Sequence, residues 1–237
     1  LAREKKKPIV CIKVGKSDAG GKAASSHTGS ITGEDEVYDA FFKEHGIIRA
    51  ENEEELLDLL LSLNQKKLPQ GKKVAIVSMS GGAGIQLSDE CEENGLEVAE
   101  LSDETTKQLK EIVPEFGSAK NPVDLTGQVL TDPNLLTEAV QVIVNDSNVD
   151  NIVFFVGLGH AFGDKIANDL IQVANETTKN ISVAWIAGPE QPIRKLRKNG
   201  VNVFSSVTRC IRTLKKIADY SEIISEDKDK ISIQNNK

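Results

Sequence analysis

Aromatic side chains are scarce. Phe, Trp and Tyr make up 4% of the 237 residues, so any core must be aliphatic, and the stacking surfaces a flavin site wants are nearly missing. Positive charge is in deficit: 29 Lys and Arg against 36 Asp and Glu leave a net charge of −7. No basic stripe with interleaved aromatics appears, and together these exclude a general nucleic-acid binder. The three cysteines, Cys11, Cys91 and Cys210, are far apart without metal-like spacing. Reduced thiols in a cytoplasmic protein are the expectation. No apolar run reaches membrane-spanning length and no signal peptide is visible. What is present describes an ordinary globular chain, with 39% hydrophobic and 27% charged residues. Its length suits one large domain or two small ones. It opens on Leu1 rather than methionine, as a fragment or a processed product would.

Apolar periodicity sets the organisation. PIVCIKV, residues 8 to 14, reads as a short buried strand, followed by a Gly/Ser/Thr-rich loop from Gly15 to Gly33. Glu34 to Glu44 reads as a helix with acid in its first turn, stopped by Gly46. Ile47-Ile48 is a short strand, and Asn52 caps a second helix with Glu55 at the capping-box position. Residues 64 to 73, NQKKLPQGKK, read as a polar hinge. Beyond it, strands (Val74–Met79, Leu96–Ala99, Ile152–Val156, Ser182–Ile186, Val201–Phe204) alternate with helices (Ile85–Asn94, Glu104–Val113, Asn134–Val144, Phe162–Thr177, Glu190–Lys198, Val207–Tyr220). NPVDLTG, residues 121 to 127, is a structured loop between them. Such alternation implies right-handed crossovers and a parallel sheet covered on both faces. The expected class is α/β: a flavodoxin-like doubly wound domain over residues 72–221 and a flexible polar tail over 222–237. Residues 1–68 hold too few strands to cover a sheet and read as the C-terminal part of a second α/β domain.

Two stretches carry chemistry. In SMSGGAGIQLSDEC, residues 78 to 91, a β run ends, glycines turn the chain and a helix begins. That points backbone N–H groups and a helix N-terminus at one spot, which favours an anion; a plain tight turn is the competing reading. The stretch is neither a Walker loop nor a full GxGxxG. In KAASSHTGSITGED, residues 22 to 35, one imidazole, His27, stands among hydroxyls and glycines. An exposed loop histidine is the plain reading of that residue alone. The flanks offer more: glycines that let backbone approach a ligand and hydroxyls for phosphate oxygens. Asp18 is the nearest acid on the N-terminal side, so no metal site is expected. A neutral imidazole is a competent nucleophile toward phosphorus.

KPIVCIKVGKSDAGGKAASSHTGSITGEDEVYDAFFKEHGIIRAENEEEL resembles the phosphohistidine segment of nucleoside-diphosphate-forming acyl-CoA synthetases, closest to the ADP-forming acetate–CoA ligase branch of the succinyl-CoA synthetase superfamily. VAIVSMSGGAG followed by NPVDLTG resembles the ligase domain of the same enzymes. SHTG, SGGxG and NPVDL in this order are specific where each alone is not. The resemblance implies a reversible relay from acyl-CoA, phosphate and ADP to acid, CoA and ATP. His27 would carry the phosphoryl group, Ser26, Thr28 and Gly29 would support its loop, and Ser80, Gly81, Gly82, Ala83 and Gly84 would cradle the phosphate. CoA is implied as a substrate. ADP/ATP with Mg²⁺ is implied too, bound by domains outside this chain: a CoA-binding domain upstream and an ATP-grasp domain or subunit, in a homo- or hetero-oligomer.

Gly157, Gly159 and His160, in GLGHAFGD, are further candidates for the acyl or phosphate pocket by the same resemblance; a helix-capping turn is the equal alternative. Asn121 and Asp124 are expected to shape a turn rather than bind ligand. His45 is expected to cap a helix C-terminus, and Cys11 and Cys210 to sit in a core. Two other functions compete: a non-catalytic ligand-sensing module of the kind fused to protein acetyltransferases, and a generic flavodoxin-like module. The SHTG histidine counts against the first. Ser78 to Ser80, standing where a receiver would cluster aspartates, counts against the second.

Overall fold

The computed structural model describes residues 1–237 apart from 3, 4, 6, 29–32, 66, 133, 236 and 237; for Thr28 and residues 226–235 the backbone alone is described. Gly29, expected to support the histidine loop, lies outside the described residues. The chain divides into two compact units, Leu1–Leu63 with Asp219–Lys237, and Asn64–Ala218.

In the first unit, β1 (Ile9–Ile12) pairs in parallel with β2 (Ile47–Ala50), Ile9 opposite Ile47 and Ile12 opposite Ala50. Between them lie α1 (Asp18–Thr28) and α2 (Asp35–His45), and α3 (Glu53–Leu63) follows. The start of α3 is built as its sequence suggests: Asn52 Oδ1 accepts from Glu55 N at 2.9 Å, and the Glu55 carboxylate accepts from Glu51 N at 2.6 Å.

The second unit is a six-stranded sheet. Its strands are β3 (Lys73–Ser78), β4 (Glu97–Val98), β5 (Val123–Asp124), β6 (Asn151–Gly157), β7 (Asn180–Ile186) and β8 (Asn202–Phe204), and every pairing is parallel. The order is β4-β3-β6-β7-β8, with β5 also pairing β3. Both β4 and β5 lie along the edge of β3 opposite β6, so the order is that of a flavodoxin-like sheet, with its switch point between β3 and β6. The helices are α4 (Gly81–Glu93), α5 (Asp103–Ile112), α6 (Leu135–Val144), α7 (Gly163–Glu176), α8 (Glu190–Lys198) and α9 (Val207–Asn235), with a 3₁₀ turn at Gly127–Leu130.

Strand alternation assigns the two faces. Val74, Ile76, Val153, Ala184 and Phe204 pack with Leu87 and Cys91 of α4 and with Val207, Cys210 and Ile211 of α9. Ala75, Val77, Ile152, Phe154, Val183 and Trp185 pack on the other face with residues of α5 to α8. This is the period-2 logic of a sheet buried on both sides. Trp185, the only tryptophan, is 1% exposed and packs on that second face with Phe154, so a few buried rings sit in an otherwise aliphatic core. Among the described residues no helix is long and apolar enough to cross a membrane.

Several expectations are corrected. The loop from Gly15 to Gly33 is helical from Asp18 to Thr28. Ser17 starts that helix: its hydroxyl accepts from Gly20 N at 3.2 Å and its carbonyl from Gly21 N at 2.7 Å. The hinge from 64 to 73 is fastened to the second unit. Lys67 Nζ donates to the carbonyls of Ala174 and Thr177. Asn180 donates to the Lys67 carbonyl at 2.9 Å, and Asn151 to the Gly71 carbonyl at 2.8 Å. From residue 222 the backbone continues α9 to Asn235; no glycine or proline interrupts the sequence after Val207. A sixth strand, β5, sits inside the expected NPVDLTG loop. The C-cap of α2 is Gly46 at φ 65, whose N–H reaches the Lys43 and Phe42 carbonyls. His45 instead sets its ring edge-on against Phe41 at 4.2 Å. Cys210 is buried, but Cys11 is only partly so.

Candidate active site at the carboxyl edge of the sheet

The glycine stretch is part of α4 itself, which begins at Gly81 rather than at Ile85. β3 ends in a small hydroxyl turn, where Ser78 Oγ donates to the Ser80 carbonyl at 2.6 Å and accepts from Ser80 N at 3.0 Å. Ser80 takes the N-cap position with extended backbone, but its side chain makes no capping bond. Gly84 N bonds the Ser80 carbonyl at 3.1 Å. The N–H groups of Gly81, Gly82 and Ala83 therefore find no acceptor among the described residues. Three unspent donors at the positive end of a helix dipole favour an anion.

Glycine is required there by close approach. A β-carbon on Gly84 would stand 3.0 Å from Pro122 Cβ, and one on Gly81 would stand 3.2 Å from Asp124 Oδ2. At Gly82 the same position is open, with nothing within 4 Å. Two residues of NPVDLTG hold this corner. The Asn121 side chain fills the gap between β4 and β5 on the edge of β3. It accepts from Ile76 N at 2.8 Å and donates to the Val74 carbonyl at 2.8 Å and the Ala99 carbonyl at 2.9 Å. It thus replaces a missing stretch of strand. Asp124 Oδ1 accepts from Thr126 N at 2.9 Å, leaving Oδ2 beside Gly81.

Across the switch point, Gly157 ends β6 and Gly159 has φ 77. His160 is exposed and lines an open cleft of about 360 Å³ with Phe162, Asp164, Lys165, Pro189 and Glu190. Gly157 and Gly159 are not on that lining. The loop between them is anchored by Trp185, whose indole N–H donates to the Leu158 carbonyl at 2.8 Å. Among the described residues, three that are not glycine adopt positive-φ backbone: Thr126 (φ 57), Leu158 (φ 50) and Ala187 (φ 50). They follow β5, β6 and β7 at the same edge of the sheet. Conformations costing on the order of 1–3 kcal/mol cluster where the chain serves a ligand. None of the three is foreseen from the sequence, because left-handed backbone in a non-glycine residue leaves no compositional trace.

His27 occupies the last turn of α1 and is exposed, as is Ser26. It belongs to the first unit, whereas Ser80 to Gly84 and Gly157 to His160 belong to the second. Within the second unit the structure brings the glycine turn and the β6 loop to neighbouring strand ends, since Ser78 and Phe155 are paired. Cys91 does not compete as a nucleophile. Burial, with the Glu90 charge beside it, pushes its thiol up to about 12. Among the described residues no group of three or more His, Cys, Asp or Glu side chains is gathered to hold a metal ion.

Comparison with known proteins places this geometry. Residues 74–201 match the family described as the Ligase-CoA domain. Residues 1–63 match the succinyl-CoA ligase-like flavodoxin domain. The alpha subunit of acetate–CoA ligase (ADP-forming) I from Pyrococcus furiosus is 35% identical over 95% of this chain and 49% of its own. Acetate–CoA ligase (ADP-forming) I from Archaeoglobus fulgidus is 32% identical over 95% of this chain and 32% of its own. A solved structure, the dinucleotide-forming acetyl-coenzyme A synthetase 1 of Ca. Korarchaeum cryptofilum in complex with phosphate and ADP, superposes with a TM-score of 0.82 at 27% identity. It covers 92% of this chain and 48% of its own. The chain thus spans about a third to a half of the length of these relatives.

Proposed function

We propose a function from the premise that the chain belongs to the Ligase-CoA domain family, with a succinyl-CoA ligase-like flavodoxin segment before that domain. It is the histidine-bearing and phosphate-cradling part of an ADP-forming acid–CoA ligase. The whole enzyme interconverts acyl-CoA, phosphate and ADP with acid, CoA and ATP. The observation that carries this reading is the set of unspent N–H donors on Gly81, Gly82 and Ala83 at the carboxyl edge of a flavodoxin-like sheet.

In the reaction, a His27 ring nitrogen attacks the phosphorus of an acyl phosphate. A P–N bond forms, the P–O bond to the acyl group breaks, and the acid leaves as a carboxylate. The phosphoryl group then passes from the imidazole to the terminal phosphate oxygen of ADP. The N–H groups of Gly81 to Ala83, with Ser80 and Gly84 holding the turn, are positioned donors for the transferring oxygens, and fixed dipoles lower the barrier where charge develops. Ser26, Thr28 and Gly29 support the histidine segment. Gly157, Gly159 and His160 border the acyl or phosphate pocket at the neighbouring strand end. CoA, ADP and Mg²⁺ are held by a CoA-binding domain and an ATP-grasp domain or subunit, in an oligomer located in the cytoplasm. The superposed synthetase was solved in complex with phosphate and ADP, the two ligands this chemistry calls for.

The test is phosphoryl labelling of the complete enzyme with acyl-CoA and labelled phosphate, or with labelled ATP and Mg²⁺. Acid-labile label is expected on the wild type and none on His27→Ala; label surviving that change overturns the reading. Gly82→Asp places a carboxylate among the free donors, at a position with room for it. It should abolish labelling while leaving the circular dichroism of the sheet intact.

A further inference from the structure

At the opposite, amino-terminal edge of the second unit's sheet lies a cleft of about 510 Å³. Lys67, Lys179, Arg197 and Lys198 line it with the amides of Asn180 and Asn199. No Asp or Glu is on the lining, although the chain carries 36 acidic and 29 basic residues.

Backbone carbonyls hold three of these cations in place. Lys67 Nζ donates to the Ala174 and Thr177 carbonyls. Lys179 Nζ donates to the Val149 carbonyl and, at 2.8 Å, to that of Asp146. Arg197 Nη2 donates to the Val203 carbonyl at 2.7 Å. None of the four forms an ion pair among the described residues. Basic residues at helix ends offset dipoles, and α8 has Lys195, Arg197 and Lys198 in its last turn. That effect places positive charge there; it does not account for a lining with no carboxylate. Burial pushes the Lys67 ammonium below the ordinary lysine value, and that of Lys179 too, against the opposing pull of Asp150 and Asp146. A bound anion would offset that cost by favouring the charged ammonium.

The volume lies in the small-ligand range of roughly 300–1,000 Å³. Only Ala174 and Ile181 are apolar on the lining, and no aromatic ring is present to stack a base. We propose that this cleft is a second anion site, built for a short phosphate chain of the pyrophosphate type and separate from the glycine turn at the other edge.

The experiment is calorimetric titration of the full chain with inorganic pyrophosphate at low ionic strength, where such pairs are least screened. Saturable binding is expected, with one equivalent remaining when the glycine turn is blocked by Gly82→Asp. Arg197→Gln combined with Lys198→Glu should weaken it about tenfold or more, whereas Gly82→Asp should leave it within about twofold. Lys198→Glu alone changes an exposed side chain with no bond among the described residues, so it answers the question if the double variant is poorly folded. Absence of saturation, affinity indifferent to Lys198→Glu, or binding abolished by Gly82→Asp would each overturn the proposal. So would binding to duplex RNA with none to pyrophosphate, which would make the cleft a macromolecular surface. His27 labelling does not depend on any of these outcomes, so this proposal and the phosphohistidine reading fail separately.

Discussion

Within this chain the two units bury different amounts of apolar surface. In the first, Ile48, Ala50, Leu59 and Tyr220 are the buried apolar residues among those described. Val37, Tyr38 and Phe41 of α2 and Leu57, Leu60 and Leu61 of α3 are exposed, and α2 buries no residue at all. In the second, both sheet faces are packed with aliphatic side chains. The proposed carrier histidine lies in the first unit, at the end of an 11-residue helix with two glycines in its first turns. The proposed cradle stands on the well-packed one. An isolated helix of that length is marginal in water, so α1 can open at little cost.

Amide hydrogen exchange gives that contrast its sharpest test. Exchange in α1 should be faster than in β6 and β7 by about a thousandfold, equivalent to about 4 kcal/mol in opening free energy. Equal protection in α1 and β6 would break the comparison. A smaller effect concerns how the second unit is fastened. Burial opposes ionisation of Asp146, but hydrogen bonds from the backbone of Asn148 and Ser102, and from the Thr105 and Ser102 side chains, hold its carboxyl below the usual range. A lowered folded-state pKa stabilises the protein above the unfolded value of about 3.9, and that contribution drains away as the pH falls through the folded-state value. Asp146→Asn should therefore cost about 2 kcal/mol at neutral pH and flatten the fall in stability below about pH 4, as read by urea melts across pH. The smallest effect separates a capped helix from an open one. The Ser102 hydroxyl accepts from Thr105 N at 3.2 Å at the start of α5, so Ser102→Ala should cost about 1 kcal/mol. Ser80 makes no such bond, so Ser80→Ala should shift the same melt by less than about 0.5 kcal/mol.

Much was legible from pattern alone. Runs such as VAIVSM and IVFFV, spaced by amphipathic stretches, carry the parallel doubly wound sheet, because strands buried on both faces must be apolar at consecutive positions. The Ser-Gly-Gly-Ala-Gly turn was readable as a strand end that leads into a helix N-terminus with free donors, because helix N-termini expose donors whatever surrounds them. Local composition misled elsewhere. Glycines and hydroxyl residues around His27 suggested loop, yet Ser17, Asp18 and three alanines suffice for α1. The polar stretch 64–73 looked like a hinge because its partners, Asn151 and Asn180, lie about eighty residues or more away along the chain.

Residue order and chemistry were enough to establish which segments become strands and helices, which face of each is apolar, and where free backbone donors arise, since those properties depend on near neighbours. Long-range packing was needed to turn Asn121 into a length of strand, to strain Leu158 and Ala187 into left-handed backbone, and to gather Lys67, Lys179 and Arg197 around one cleft. Each of these depends on groups remote in sequence meeting at an edge of the sheet, where unpaired backbone groups take whatever partner the fold delivers.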